Sequence, residues 1–556
     1  MSNTLFLGFS VLIALNFTTV SGQDSKSTTN PATTNKYYNW HNLDPVKNKT
    51  AGIGTERAYD ELLRGKPMTT VIVAVIDGGV DINHEDLLGK IWVNKGEIPG
   101  NGIDDDHNGF VDDINGWNFI GGSDGQNINE ETIELTRLYK KYSAKFAGVD
   151  TLKLTGDDLK EFTEFKKIRS KFLEKTNKYL QDYQNFQNFK MAFKFSDSLA
   201  CILLNKTEYK LADVKTIKPG DSEQITAVKE FLMGLLKKTS GAKEIRDYLT
   251  GNSTQEYLND LTNKVKYNYN LNFNPRTIIG DDPEVWNSNY GNNNVNGPRA
   301  DHGTFVSGII AANRHNNIGI LGIVDSVKIM SVRTVPDGDE RDKDVANAII
   351  YAVNNGAQVI NMSFGKDYSP QKKFVDDALK YAASKDVLMV HAAGNDAENV
   401  DTMANFPTNR GDGGSILINN WLTVGASSQK ADKELPGYFS NYGKKEVDLF
   451  APGVRIFSLK PNNTYEEGDG TSFAAPMVTG AAALIKSVYP SLHALQIKEI
   501  LLKSSTKYPK LKVYLPTEEG KKMKVKFESL SETGGVLNVY EALKLAETYA
   551  NKAVSK

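Results

Sequence analysis

A serine, a histidine and an aspartate, each at the expected end of a secondary-structure element, are the residues of this chain whose types and spacing suit nucleophilic chemistry. Ser472 stands in DGTSFAAPMVTGAAALI at 469–485. Gly470 before it permits a tight backbone approach, and the small residues after it suit a closely packed helix with Pro476 within its first turn or so. A hydroxyl at a helix mouth projects, and the helix N-terminus favours the negative charge that develops when a serine attacks a carbonyl. A serine N-cap is the alternative for the same residue. Asp77 ends VIVAVID at 71–77, a β-branched run expected as a buried parallel strand. A carboxylate at the carboxyl tip of such a strand lies where open α/β sheets gather their chemistry. His302 opens HGTFVSGIIAAN at 302–313, a small-residue helix able to pack tightly, whereas His41, His84, His107, His315 and His493 read as surface or loop residues. In the chain order Asp77, His302, Ser472 the three form an orienter, a base and a nucleophile.

The strings around these residues resemble the three active-site motifs of the subtilisin-like serine proteases, the subtilases, in the same chain order. VLMVHAAGN at 387–395 resembles the family's oxyanion segment, NMSFG at 361–365 its substrate-pairing strand, and VDLFAPG at 447–453 a structural landmark before the nucleophile. The resemblance covers about 51–122 and 285–548. It implies an α/β protein with a three-layer α/β/α subtilisin-like fold and a mainly parallel sheet. The activity it implies is that of a serine endopeptidase hydrolysing protein or peptide substrates through an acyl-enzyme. Ser472 would attack the scissile carbonyl, His302 would carry the proton to the leaving amine, and Asp77 would hold the imidazole. The resemblance puts Asn395 in the amide-donor role toward the oxyanion; read by itself, Asn395 in Gly-Asn-Asp also suits a turn. Ser363, Phe364 and Gly365 are the edge that an extended peptide would join through main-chain bonds. Small Ala392, Ala393 and Gly394 leave room for a bulky side chain, apolar or aromatic as the family commonly prefers. Phe305 and His391 depart from the family pattern without touching the three reactive residues. Two other classes share this sequence: a catalytically silent binding protein, against which the intact Asp77, His302, Ser472 and Asn395 stand, and an enzyme that passes the acyl group to an amine instead of water.

With 556 residues, 40% hydrophobic, and a net charge of −2, the chain can bury a large core and offers no electrostatic case for nucleic acid as a partner. Its one cysteine, Cys201, precludes an intramolecular disulfide and lies in the apolar stretch SLACILL, where a small buried hydrophobe is expected. Residues 1–22 read as a signal peptide, with the apolar run TLFLGFSVLIALNF at 4–17 and a small-residue cleavage site at Val20, Ser21 and Gly22; a membrane anchor is the alternative. Export follows from this, to a periplasm or the medium, with no stable membrane insertion of the mature chain. Residues 23–50 read as a linker and N-terminal extension, and 51–122 with 285–556 as the catalytic domain, with no separate pro-domain expected.

Asp77 and His302 are 225 residues apart, several-fold more than the family pattern needs. From 123 to 284 the composition turns to Lys, Glu, Gln, Tyr and Phe with helical spacing. Leu135, Leu138, Tyr139, Tyr142 and Phe146 form one stripe, Leu159, Phe162, Phe165, Ile168 and Phe172 a second, and Ile225, Val228, Leu232 and Leu235 a third, opened by a capping pair of Asp221 and Gln224. This predicts a helical insertion subdomain docked near the active-site rim. GIDDDHNGFVDDINGWNF at 102–119 is the remaining constellation. Asp104, Asp106, Asn108, the Phe110 carbonyl, Asp112 and Asp113 have the oxygen-rich spacing of a structural calcium loop, although Asn115 stands at the twelfth position; the alternative is a solvated acidic turn. No organic cofactor is implied.

Overall fold

Val71–Asp77 (β1) is the strand around which the chain is wound, in a computed structural model that describes residues 38–517 and 523–554. The signal-peptide segment 1–22 and residues 23–37 of the linker lie outside the described residues. The other strands are β2 (Gly116–Asn118), β3 (Val327–Arg333), β4 (Val359–Met362), β5 (Leu388–Ala392), β6 (Trp421–Ser427), β7 (Leu449–Pro452), β8 (Ile456–Lys460), β9 (Thr464–Gly468), β10 (Thr506–Lys507), β11 (Lys512–Tyr514), β12 (Lys524–Lys526) and β13 (Gly535–Val536). Nine of them form one sheet in the order β10-β13-β7-β6-β5-β4-β1-β3-β2, and only the pair β10 with β13 is antiparallel. The pairs β8–β9 and β11–β12 are separate antiparallel hairpins.

The β-branched run of β1 is explained by burial on both faces. Val71, Val73 and Val75 pack into a cluster shared with the helices Asp301–Ala311 and Thr471–Val488, while Ala74 and Ile76 pack on the other side with Asp342–Asn354 and Lys372–Ser384. The result is the expected three-layer α/β/α arrangement with a mainly parallel sheet. β1 lies between β3 and β4, so the winding changes direction across it and Asp77 sits at the switch point. The helix that begins at Asp301 reaches this tip because residue 303 is glycine: a Cβ there would lie 2.1 Å from the Gly79 carbonyl oxygen.

Between β2 and the helix Asp301–Ala311 the chain forms six α-helices, Glu134–Lys145, Gly156–Leu204, Leu211–Thr216, Glu223–Leu236, Ala242–Thr250 and Asn252–Asn263. The second has 49 residues, about 74 Å at 1.5 Å per residue. No glycine or proline follows Gly156 until Pro219, so nothing interrupts it before Asn205 closes it in the left-handed conformation, φ 50°. The first two apolar stripes face one another: Tyr139 stacks on Phe172 at 4.2 Å and Phe146 on Phe165 at 5.7 Å. Tyr368 packs against this proximal cluster, whereas Phe186, Phe189, Phe193, Val228 and Leu232 belong to a separate distal one.

Several local expectations are corrected. The cap of Glu223–Leu236 is Ser222, whose hydroxyl accepts from Ile225 N–H, because Asp221 lies one residue too early. Pro476 falls in the second helical turn, since the helix begins at Thr471. His41 and His84 are buried; His84 Nδ1 accepts from Asp86 N–H, a bond that the short helix Glu85–Leu87 offers. Cys201 is half-buried beside Arg246, whose Nη2 lies 3.3 Å from its sulfur.

The helical region is fastened to the sheet layer through buried charge. Lys366 Nζ lies 2.9 Å from Asp342 and 3.1 Å from Glu134 of the first inserted helix, and Arg276 grips Asp344 with two 2.7 Å bonds. Burial works against the Lys366 ammonium, yet Glu134, Asp342 and Glu340 outweigh it and raise its pKa above the ordinary lysine value. Removing one partner of such a set strands the others in a dry environment. Lys366→Met is therefore expected to cost about 3–5 kcal/mol in urea unfolding, seen as a lower midpoint at an unchanged slope.

Candidate active site

The tip of β1, the start of Asp301–Ala311 and the start of Thr471–Val488 bring Asp77, His302 and Ser472 to one end of the sheet. His302 Nδ1 lies 2.9 Å and 3.0 Å from the two Asp77 carboxylate oxygens. Asp77 is almost fully buried and its Oδ1 also accepts from Gly78 N–H at 2.7 Å, while the His302 side chain is 37% exposed. A carboxylate accepts only, so Nδ1 carries the proton and Nε2 is left as the basic nitrogen of the neutral ring. Nε2 has no hydrogen-bond partner among the described residues. Enclosure of the ring disfavours the imidazolium, but the Asp77 charge and hydrogen bond outweigh it and raise the His302 pKa above 6.5. Phe473 lies over this ring with centroids 5.8 Å apart and stacks in turn on Phe305 at 4.0 Å, which is the use the fold finds for the unexpected Phe305.

Ser472 is the second residue of its helix, and Gly470 holds the N-cap position. Its hydroxyl donates to the Ser363 carbonyl at 3.1 Å and makes no hydrogen bond to His302. The Ser472 carbonyl would ordinarily accept from the N–H four residues on, but that residue is Pro476. The Ser363 hydroxyl fills the vacancy at 2.8 Å, and is itself held by Asn361 Nδ2 at 2.9 Å, whose Oδ1 accepts from Thr479 at 2.8 Å. A proline that costs the helix a bond is thus matched by a serine on the neighbouring strand.

Asn395 is exposed at the end of the segment after β5. Its Oδ1 accepts from both the N–H and the hydroxyl of Thr471, each at 2.9 Å, and the same hydroxyl accepts from Gly394 N–H at 3.1 Å. A backbone N–H can only donate, so the amide orientation is fixed and its NH2 is free to serve a ligand. Of Ser363, Phe364 and Gly365, Gly365 is exposed, Ser363 is buried beneath Ser472, and the half-buried Phe364 ring packs against the core while its carbonyl accepts from His391 Nε2 at 2.8 Å. Burial pushes the His391 pKa down to about 4, which keeps the ring neutral and this bond constant. The methyl groups of Ala392 and Ala393 are buried in the core, and the side chain of Asn405 stands beside Gly365 and Gly394. The strings left Thr471, Asn361, Asn405 and Arg333 unremarked. Thr471 could have been found as the residue between Gly470 and Ser472; Arg333 pairs in register with Asp77 and donates to the Gly78 carbonyl at 2.8 Å, and nothing in its sequence position marks it.

The acidic loop is folded on itself. Asp104 accepts from Asn108 and Gly109 N–H, and Asp112 from Gly100 and Gly102 N–H. Asp106 and Asp113 converge instead with Glu97, a residue outside the expected set, their oxygens within 4.8 Å of one another. Burial raises the Asp113 pKa to about 6. Phe110 turns its ring to Trp117 and Tyr351, and Asn108 donates to both Asp106 and Asp113.

A buried carboxylate, an imidazole and a serine at a helix start, on a parallel sheet with helices on both faces, define a serine hydrolase of the α/β/α type. The model of the Subtilase family matches residues 68–520, and the chain belongs to that family of serine-type endopeptidases. It is 35% identical over 215 residues to Subtilisin BL of Lederbergia lenta, covering 38% of this chain and 73% of that one. It is likewise 35% identical over 215 residues to an alkaline protease of Shouchella clausii, covering 38% and 52%. A solved protease of Pseudoalteromonas arctica PAMC 21717 shares 28% identity over 44% of this chain and 70% of its own, with a TM-score of 0.36. Among the described residues no helix is long and apolar enough to cross a membrane.

With His302 as the base, the ring must be neutral to accept a proton, and because its pKa is raised above the ordinary histidine value, activity should be lost on acidification through that raised value. A profile of kcat/KM against pH is expected to show its acid limb there, and Asp77→Asn to move that limb down while lowering the plateau.

Proposed function

We propose that this protein is an exported serine endopeptidase in which Ser472, His302 and Asp77 form and hydrolyse an acyl-enzyme. The observation that carries the reading is the His302–Asp77 pair, with its protonated Nδ1 on the carboxylate and its Nε2 unengaged. An extended peptide adds to the edge at Ser363–Gly365 through main-chain bonds. The Ser472 hydroxyl turns from the Ser363 carbonyl to His302, gives up its proton and attacks the scissile carbonyl; the imidazolium, stabilised by Asp77, then protonates the leaving amine. Negative charge on the tetrahedral oxygen is met by the Asn395 NH2, held in place through Thr471, and by the Ser472 N–H at the helix start. Water then replaces the amine and hydrolyses the ester. The apolar segment 4–17 supports export, to a periplasm or the medium.

An active-site-directed fluorophosphonate should label the protein once, at Ser472, and Ser472→Ala should abolish labelling and cleavage together. Full cleavage by that variant would end the assignment. Asn395→Ala should lower kcat by about 10²–10³ with KM nearly unchanged, the cost known for losing such a donor in a subtilisin.

We also propose a structural calcium ion at the acidic loop, held by Glu97, Asp106 and Asp113. Glu97, Asp104, Asp105, Asp106, Asp112 and Asp113 form no ion pair among the described residues, and hard oxygen ligands suit this cation. The ion would supply compensating charge to the fold and take no part in the chemistry. A chelator should lower the melting temperature, calcium should restore it, and Asp106→Ala with Asp113→Ala should remove the difference. An unchanged melting curve, with no calcium found by elemental analysis, leaves a solvated acidic turn.

A further inference from the structure

We propose that the exposed side of the helix Gly156–Leu204 is where a second copy of this chain docks, the two long helices lying antiparallel. Leu159, Leu173, Leu180, Met191, Phe195 and Ile202 are all exposed, Met191 at 62% and Ile202 at 75%. Their spacings of 14, 7, 11, 4 and 7 residues return, at about 100° per residue, to one strip about 60° wide. From Leu173 to Ile202 the positions between them on the strip are Asn177, Gln184 and Ser198, none of them charged. The buried residues of the same helix point the other way: Ile168 into the proximal cluster, and Phe186, Phe193 and Ala200 into the distal one. Lys171, which meets the catalytic body at Asp367, is on that side too. A surface helix needs one apolar side to join its own domain; this one has a second, with no cover among the described residues.

The strip itself identifies its occupant. Roughly 100 Å² of each of the six side chains is uncovered, so two copies face to face remove about 1,200 Å² from these alone, the area at which specific interfaces begin. A two-fold axis crossing between Thr176 and Asn177 sets Leu173 against Leu180 of the second copy and Leu159 against its Phe195. The same axis brings Ile202 onto Leu152, which is 96% exposed in the turn Thr151–Lys153 before the helix. Charge agrees with this register. Such an axis keeps each border of the strip on its own side, so Glu174 meets Lys178 of the second copy on one border, and Asp158 meets Lys194 on the other. Glu174, Lys178 and Lys194 form no ion pair within the chain among the described residues. A parallel pair would set Lys166 against Lys166 and is disfavoured. Asn177, beside the axis, gives the seam an amide whose partner is the amide of its own copy, a device that fixes register. Each catalytic body lies behind its own strip, so that helix meets helix.

The test is sedimentation equilibrium of the purified protein, with circular dichroism to confirm that each variant is folded. The unmodified chain is expected to sediment as a dimer at micromolar concentration. Leu173→Glu with Leu180→Glu, at positions exposed in the single chain, should raise the dissociation constant about 100-fold or more. Glu174→Lys should raise it about tenfold, and adding Lys178→Glu should restore it. Direction is read by oxidation in a Cys201→Ser background: Asn177→Cys should close a disulfide between copies, whereas Met191→Cys, about 40 Å from its own copy in this register, should not. A monomer at about 100 µM overturns the proposal, even if a variant fails to fold. So does an unchanged dissociation constant in the double-glutamate variant, or cross-linking through Met191→Cys as efficient as through Asn177→Cys. A monomer that instead binds phosphatidylcholine vesicles or an unfolded polypeptide gives the face to another occupant and overturns it as well.

Discussion

The contact between Asp77 and His302, 2.9 Å across a gap of 225 residues, is the constraint from which most of the architecture follows. It requires a carboxylate at the tip of a strand that is flanked on both sides, so that the tip opens into the crevice where the winding reverses. It requires a helix start close enough to touch that tip, which Gly303 permits by omitting a side chain against the Gly79 carbonyl. It also requires the long inserted segment to leave and return on the same side of the sheet. The base of that segment is accordingly bound by the pairs of Arg276 with Asp344 and Glu134 with Lys366, all of them buried.

Around that contact, groups that would otherwise lack a partner are taken up by neighbours. The Ser472 carbonyl, deprived by Pro476 of its helical donor, accepts from Ser363; the Asn395 side-chain Oδ1 accepts twice from Thr471; the Phe364 carbonyl accepts from a histidine kept neutral by burial. Each of these fixes a group close to Ser472 without using charge. The Asp77–His302 contact, by comparison, sets a carboxylate against an imidazole, so its strength depends on the charge of the ring.

The parts of this structure that were legible in the sequence are those with a local cause. The run VIVAVID reads as a strand because burial on two faces demands a continuous apolar string, and DGTSFAAP reads as a helix start because its glycine and small residues allow nothing else so well. The helical stripes at 135–146 and 159–172 were legible for the same reason, and they meet as facing pairs. What could not be read depends on partners distant in the chain. Glu97 joins Asp106 and Asp113 only through the path of the loop, Asn405 reaches Gly365 only through the tertiary fold, and Arg333 lies beside Asp77 only through strand pairing. Residue type alone also misplaced His41 and His84, whose burial is set by the surrounding packing. The continuity of Gly156–Leu204 was in principle visible, as the absence of any glycine or proline up to Pro219.

That unbroken helix has a mechanical consequence. An α-helix bends only gently unless a proline, glycine or bulge gives way, so 49 residues in one piece behave as a stiff beam instead of a hinge. The beam rests on the catalytic body near Lys171, which pairs with Asp367 at 2.7 Å and lies over the ring of Tyr368. Asp367 is two residues beyond Gly365. The same helix that packs around Phe193 and Leu232 at one end is thus tied, at Lys171, to a residue next to the edge where a peptide would lie.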